Sequence, residues 1–234
     1  MKNKNWLTAA WKKTFICSEM SALLFAVCAA VATAAALAPE PQPSHARPEA
    51  KGLPTSGIYK IDSAHSFAYF GARHHIVGLV RGRFDKVNGL ITVSNDLAAC
   101  SVDVSIDVAS ISTQNTRRDD DLRSPVYFDA GRFPVMTYQG HGIRRISATS
   151  WAMNGFLTMH GVSREVPLTF NFNGAFPPGE PGEPVRVAFH AVAAVKRADF
   201  GMGARDNLEE LGMLTTPDVE IEIDVEADAT SPAK

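Results

Sequence analysis

The chain has 234 residues, a formal net charge of −2 and 45% hydrophobic residues. This length allows about one domain once the terminal segments are set aside, and the hydrophobic fraction allows a sizeable core. A nearly neutral charge without any basic face argues against nucleic acid as a partner.

The first 38 residues have the features of a secretory signal peptide. Four lysines and no acid occur in residues 1–13, and residues 20–38 carry no charge. A basic start, an apolar stretch and then small residues are typical of such a peptide, so we expect a periplasmic or secreted protein. Because about 20 apolar residues are enough to span a bilayer, an inner-membrane anchor with the domain in the periplasm is the alternative.

The segments that flank the predicted domain are polar. Residues 39–56 are rich in proline and show no periodicity, which is typical of a linker. Residues 57–227 form the predicted domain, and residues 228–234 a disordered tail. Cys100 is the only cysteine of the domain, so no disulfide can form within it and its core must hold it together.

The first half of the domain has a period of two, which predicts strands. Residues 101–108 alternate most regularly, with Val102, Val104, Ile106 and Val108 on one face. One buried face and one solvated face indicate an antiparallel sheet. A hairpin turn is expected at 86–89, where Asn88 precedes Gly89 between two strand patterns.

One segment breaks this pattern. A short helix is predicted from Thr116 to about Ser124, with Thr116 and Asp119 as a variant capping box. Strand patterns then resume from 135 onward and end at 226, interrupted by a proline-rich loop at 174–184. A second short helix is predicted within 204–214.

About nine strands at near-regular spacing predict a barrel or a sandwich. A sandwich fills its inner face, whereas a barrel of about eight strands can hold one small ligand. The large and small side chains on the inward faces can either leave an elongated cavity or interdigitate, and the pattern alone leaves both open. The pattern therefore predicts an all-β, antiparallel fold with a short helix at one end, as a barrel of about eight strands or as a sandwich.

Six motifs in order resemble the YceI-like family. They are Tyr59–Ser66 with Arg73-His74, Gly82-Arg83-Phe84 with Gly89-Leu90-Ile91, Ala109–Asn115 with Arg118-Asp119, Phe133-Pro134, Gly155–Ser163 and Arg197–Met202. The resemblance covers roughly residues 57–225. It implies a lipocalin-like periplasmic or secreted barrel that binds polyisoprenoid chains, such as quinones or related lipids, and it implies no cofactor and no reaction.

This chain departs from the family pattern at Asp121. The sequence Arg118-Asp119-Asp120-Asp121-Leu122 places an acid where the family usually has histidine. If that histidine contacts a ligand headgroup, the headgroup preference of this chain differs. Lys196 also stands where the family commonly has asparagine.

An apolar pore suits a lipid tail because burial of each methylene is worth ~0.8 kcal/mol. About 20 methylenes nominally contribute ~16 kcal/mol before the costs of ordering. Nine residues are predicted to line the pore, although any single one of them is more simply explained as part of the core. They are Phe70, Phe84, Val104, Ile106, Tyr138, Leu157, Met159, Phe170 and Phe189.

Other polar residues are interpreted as structural. The four histidines His65, His74, His75 and His160 lack the spacing of a metal site, and no metal is expected. The pairs Arg118-Asp119 and Arg197-Asp199 are predicted to form a network that ties the helix to a barrel end, with a role at the pore mouth as an alternative.

The sequence therefore predicts a protein that sequesters or transports an isoprenoid-type lipid without catalysis. Transient membrane contact and a homodimer are further expectations. Two alternatives are an interaction module with a solid barrel, active in stress or respiration, and an enzyme acting on a quinone or lipid. A carrier needs a continuous apolar cavity, whereas an enzyme also needs at least two titratable side chains facing it.

Overall fold

The computed structural model of the chain describes residues 52–74, 78–202 and 215–230. Over these ranges the chain forms eleven strands and one α-helix. The strands are β1 (Gly57–Ile61), β2 (Phe67–His74), β3 (Gly78–Phe84), β4 (Val87–Val93), β5 (Ser101–Asp107), β6 (Ile111–Ser112), β7 (Val135–Arg145), β8 (Ser150–Met159), β9 (Val162–Phe176), β10 (Arg186–Lys196) and β11 (Thr215–Ala229). The helix, α1, is Thr116–Arg123.

Eight of the strands close into a ring in which every pairing is antiparallel. The order is β1-β4-β5-β7-β8-β9-β10-β11, and β11 pairs back to β1. Strands β2, β3 and β6 extend this ring, since β2 pairs with β11 and β3, and β3 pairs with β6. The predicted antiparallel barrel of about eight strands is confirmed, and the sandwich alternative is wrong.

Strands β1 and β2 lie end to end along β11, and a buried serine bridges the break between them. Ser66 is fully buried. Its Oγ donates to the Glu226 carbonyl and accepts from the Glu226 backbone N–H, both at 3.1 Å. The side chain thus replaces ladder hydrogen bonds at the point where the backbone of residues 62–66 leaves the sheet.

Alternation along the strands separates the barrel interior from solvent. In β11, Val219, Val225 and Ala227 are buried, whereas Glu220 and Glu222 are exposed. Most of the buried apolar residues of the strands form one cluster, against which half-buried interior side chains pack. A strand that is apolar on one face and charged on the other can sit only with its apolar face inward, and this fixes the register.

An ion-pair cluster on the outside ties together the strands that close the ring. Arg186 of β10 contacts Asp62 at 2.9 Å, Glu226 at 3.1 Å and Asp228 at 2.8 Å. These three acids lie on β11 and immediately after β1. One guanidinium therefore links the ends of three strands at the closing seam. Such a network contributes more to stability than isolated surface ion pairs do.

The helix α1 occurs where predicted, but its cap is different. Asn115, rather than Thr116, is the N-cap, because the Asn115 side chain accepts a hydrogen bond from the Arg118 N–H at 3.1 Å. The Asp119 carboxylate bonds to Thr113 instead of closing a capping box. After the helix, the Phe128 ring packs edge-on against the Phe84 ring, with 5.5 Å between the ring centroids, and this contact holds the segment on the barrel.

The predicted hairpin turn at 86–89 is wrong. Strands β3 and β4 do not pair with each other. Instead, β3 pairs with β2 and β4 pairs with β1, so the two strands follow one another in the same direction along the sheet. Gly89 lies within β4, where a Cβ atom would collide with the Asp103 carbonyl oxygen of β5. The Asn-Gly pair therefore reflects a close approach of two backbones and not a turn.

Two predicted element ends also shift. Strand β9 continues to Phe176, so the first three residues of the expected loop at 174–184 pair with the start of β10. Strand β11 reaches Ala229, and Asp228 and Ala229 of the expected tail are therefore in the sheet.

Several predictions lie outside the described residues. They are the signal peptide or anchor at 1–38, most of the linker at 39–56, His75, the short helix within 204–214 and the last four residues of the tail. Among the residues that are described, no helix is both long enough and apolar enough to cross a membrane.

The closing seam makes stability depend on pH in the acid range. A hydrogen bond from His65, together with one from the Ala64 N–H and the charge of Arg186, lowers the pKa of Asp62 below its ordinary 3.8 although burial opposes this. A lowered pKa stabilises the fold above pH 3.8, and this contribution is lost as the pH falls through the folded-state value.

We expect the free energy of unfolding to fall less steeply below pH 4 in Asp62→Asn than in the wild type. Urea unfolding followed by circular dichroism between pH 2.5 and 7 measures both curves. Parallel curves in that window would contradict the role assigned to Asp62.

Candidate functional site

The barrel encloses a cavity of about 520 Å³. Each of the eight ring strands contributes side chains to its wall, for example Ile61, Ile91, Phe170 and Ile221. This volume falls in the range typical of small-molecule sites, roughly 300–1,000 Å³. The inward side chains therefore leave a cavity instead of interdigitating fully. The sequence pattern alone had left both outcomes open.

All nine residues predicted to contact a ligand lie in the cavity wall. Five are only half-buried although they point into the barrel: Phe70, Val104, Tyr138, Leu157 and Phe170. The other four are buried within the core cluster: Phe84, Ile106, Met159 and Phe189. The first group presents accessible surface to the cavity, whereas the second mainly supports the wall; contact with a ligand stays a prediction for both.

Glycines beneath aromatic side chains shape the wall. A Cβ atom at Gly82 would collide with the Phe70 ring, and one at Gly155 would lie 2.5 Å from Cζ of Tyr138. Both glycines face inward on strands next to the aromatic residue. The large and small residues on neighbouring strands thus let the rings lie flat along the wall and leave the centre open.

Tyr138 places a polar group in the wall, but its hydrogen-bonding capacity is partly used. Its hydroxyl donates to the Val166 carbonyl at 3.0 Å. Burial, and secondarily the charge of Glu165, raises the pKa of Tyr138 to about 12. The phenol therefore stays neutral at physiological pH.

An aromatic cluster lies at one end of the barrel interior. The Trp151 ring stacks on the Phe170 ring, with 6.0 Å between the ring centroids, and Phe189 contacts both Phe170 and Phe172. Trp151 and Phe172 are buried. Tyr59, on β1 of the same barrel end, is also buried and donates its hydroxyl hydrogen to the Thr55 carbonyl at 2.7 Å.

Charged side chains reach the cavity at the opposite end, which carries α1. Arg118 and Asp121 of α1 and Arg197 after β10 belong to the lining. Arg118 donates from Nε to Thr113 Oγ1 at 2.7 Å and from Nη2 to the Thr113 carbonyl at 2.9 Å. The cavity is thus apolar along its length and charged at one end.

The predicted arginine-aspartate network is only partly as expected. Arg118 and Asp119 both bond to Thr113, so a threonine links them instead of a direct ion pair. Arg197 lines the cavity, as the pore-mouth alternative proposed, while Asp199 is exposed.

Several wall residues were not predicted from the sequence, for two different reasons. Ile221 and Ile223 of β11 alternate with acids, and the same pattern that identified β5 could have found them. Ile143 was hidden because a bulge at Gly142 reverses the parity of β7. Asp121 was noted as a departure from the family pattern but was not assigned to the wall.

Of the histidines considered as metal ligands, two have other described partners. His65 bonds to Asp62 at 2.8 Å, and His160 contacts the Phe200 carbonyl at 3.0 Å. A different group lies on the outer face, where ligand atoms of His190, Glu222 and Asp224 fall within 4.8 Å of one another. The sheet separates this group from the cavity.

Comparison with known proteins identifies relatives from several bacteria. A UPF0312 protein of Vibrio vulnificus strain YJ016 is 27% identical over 169 residues, which cover 71% of this chain and 85% of the relative. A UPF0312 protein of Staphylococcus aureus strain N315 is also 27% identical, with 72% and 95% covered.

Solved structures share the fold. The Campylobacter jejuni YceI protein is 28% identical with a TM-score of 0.57, covering 68% of this chain and 90% of that one. A polyisoprenoid binding domain from Saccharophagus degradans, implicated in plant cell wall breakdown, is 17% identical with a TM-score of 0.55 over 75% and 99%. The second likeness, at this identity, concerns the fold alone.

The model of the YceI-like domain matches residues 59–227, nearly the whole barrel. The matched range begins within β1 and ends within β11, so it spans the ring that encloses the cavity. The chain belongs to the YceI-like domain family.

Proposed function

We propose that the protein binds one apolar, isoprenoid-type lipid in the barrel and shields it from water for storage or transport. The observation that carries this proposal is the continuous apolar wall of a cavity of about 520 Å³. A surface of this kind gains free energy from burying hydrocarbon, and it needs few polar contacts along the chain.

The shape of the cavity supports a chain-like ligand with one polar end. The aromatic cluster around Trp151 lies at one end of the interior, and charged residues such as Arg118 line the other. A lipid tail inserted toward the aromatic end would leave its headgroup beside α1. A rigid, uniformly apolar ligand would gain nothing from this polarity.

The interaction-module alternative is disfavoured because it requires a solid barrel. The half-buried interior side chains, such as Leu157 and Phe170, are accessible only because the centre is open. A module that acts through its rim has no use for this open space.

Catalysis on the lipid is not part of the proposal, although charged groups do reach the cavity. Arg118 and Asp121 are two titratable side chains in the cavity wall, which is the minimum that an enzyme requires, but both lie at one end of the wall. Among nucleophile candidates in the described wall, Cys100 bonds to backbone atoms of Ser94 and Asp96, and Tyr138 to a backbone carbonyl. Neither of these bonds involves a side-chain base.

Export to the periplasm completes the proposal, supported by the basic and then apolar sequence of residues 1–38. Transient membrane contact during loading and a homodimer stay predictions. Amino-terminal sequencing of the protein purified from its own organism tests export. A new amino terminus near residue 38 is expected, whereas Met1 in a membrane fraction would indicate the anchored alternative.

Ligand binding is tested most sharply by a pair of neighbouring substitutions on β8. Leu157 faces the cavity, whereas Phe156 is 53% exposed on the outer face. Leu157→Arg puts a charge into the apolar wall, where an unpaired charge is strongly unfavourable. We expect it to lower affinity for a long-chain isoprenoid by about 100-fold or more, while Phe156→Arg stays within about twofold of the wild type.

Affinity is measured by titration of the delipidated protein with a fluorescent isoprenoid, and thermal unfolding confirms that each variant folds. If Leu157→Arg does not fold, Leu157→Trp replaces it, since a larger apolar side chain fills the cavity without adding charge. Undiminished binding by a folded Leu157 variant would exclude the cavity as the lipid site.

A further inference from the structure

The charged end of the cavity carries both signs. Arg118 and Asp121 are three residues apart on α1, which places them on one face of the helix, and both line the cavity. Arg197 joins them from the end of β10. A headgroup at this end therefore meets a carboxylate as well as guanidinium groups.

The Arg118 guanidinium is held in a fixed orientation beside a buried acid. Thr113 accepts from Arg118 Nε through its hydroxyl oxygen and from Nη2 through its carbonyl. The same Thr113 donates its N–H, at 2.8 Å, and its hydroxyl hydrogen, at 2.5 Å, to Asp119 Oδ1. Asp119 is buried, so its charge acts on Arg118 through little solvent.

Asp121 adds a second negative charge at the cavity itself. Its side chain forms none of the ion pairs found among the described residues. Arg123, the last residue of the helix, pairs instead with Asp120 at 3.2 Å on the solvent side. The carboxylate of Asp121 is thus available to whatever occupies this end of the cavity.

We infer that Asp121 makes this end of the cavity select a neutral hydroxyl headgroup over an anionic phosphate. The inference rests on the proposed function. A carboxylate accepts a hydrogen bond from a hydroxyl group, whose oxygen can in turn accept from a guanidinium. A phosphate monoester carries a charge of about −1.5 to −2 at pH 7. The guanidinium groups attract this charge, but Asp121 repels it, and like charges placed together at a binding site are unfavourable.

The expected selectivity is moderate. Asp121 is exposed on its solvent side, so water and salt screen part of the repulsion. We expect the alcohol to bind about tenfold more tightly than the phosphate of the same chain length, a difference of about 1.4 kcal/mol.

The test compares geranylgeraniol with geranylgeranyl monophosphate on the delipidated full-length protein. The readout is the ratio of the two Kd values, obtained by titration calorimetry at low ionic strength. Asp121→Asn removes the charge but keeps the size of the side chain, and we expect it to abolish the preference for the alcohol. A purely structural role of Asp121 would weaken both ligands alike and leave the ratio unchanged.

Asp120→Asn is the matched control. It removes the same charge one residue away, from a side chain that pairs with Arg123 and is not among the lining residues, and should retain the wild-type ratio. Equal affinities in the wild type, a preference for the phosphate, or a ratio unaffected by Asp121→Asn would overturn the inference and leave the proposed lipid binding intact. Failure of both ligands to bind would remove the proposed function, and the inference with it.

Discussion

Three residues of β1, Tyr59 to Ile61, pair with the end of β11 and turn a sheet into a barrel. Without this seam, the ring of eight strands would not close, and β1 would be left with an open edge. The seam is short, and two other features reinforce it. Ser66 continues the hydrogen bonding across the break after β1, and Arg186 joins acids from both sides of the closure.

Closure has a direct consequence for the interior. Eight strands leave a space just wide enough for side chains or for one small ligand, and the choice depends on which residues point inward. Here Gly82 and Gly155 let the rings of Phe70 and Tyr138 lie against the wall. The same barrel with larger residues at the glycine positions would fill its centre.

The strands were predictable because their signals are local, whereas the choice of a barrel over a sandwich depended on the family resemblance. Alternation such as Val102-Asp103-Val104-Ser105 fixes which face is buried, and nothing in the tertiary structure overrides it. The turn predicted at Asn88-Gly89 failed because a glycine needed for close backbone approach looks like a glycine needed for a turn. All nine predicted contact residues reach the wall, but Ile143 escaped notice because a one-residue bulge at Gly142 reverses the parity of its strand.

The position of Asp121 could not be derived from the sequence, because helical periodicity shows which residues share a face but not what that face meets. That depends on tertiary packing, such as the contact of Phe128, in the segment after α1, with Phe84 of the barrel. The result is a cavity with an apolar body, an aromatic end and a charged end. That polarity matches a lipid with a long tail and a small head better than it matches any ligand of uniform surface.

The central claim is that this interior holds a lipid, and mass spectrometry of the organic extract tests it most directly. The protein is purified without detergent from its own organism, and the extracted lipid is quantified per protein chain. The account predicts one long-chain isoprenoid or quinone-type molecule in a near-equimolar amount. An extract without such a lipid, and again none after incubation with isoprenoid-containing vesicles, would contradict it and favour a module that acts through its outer surface.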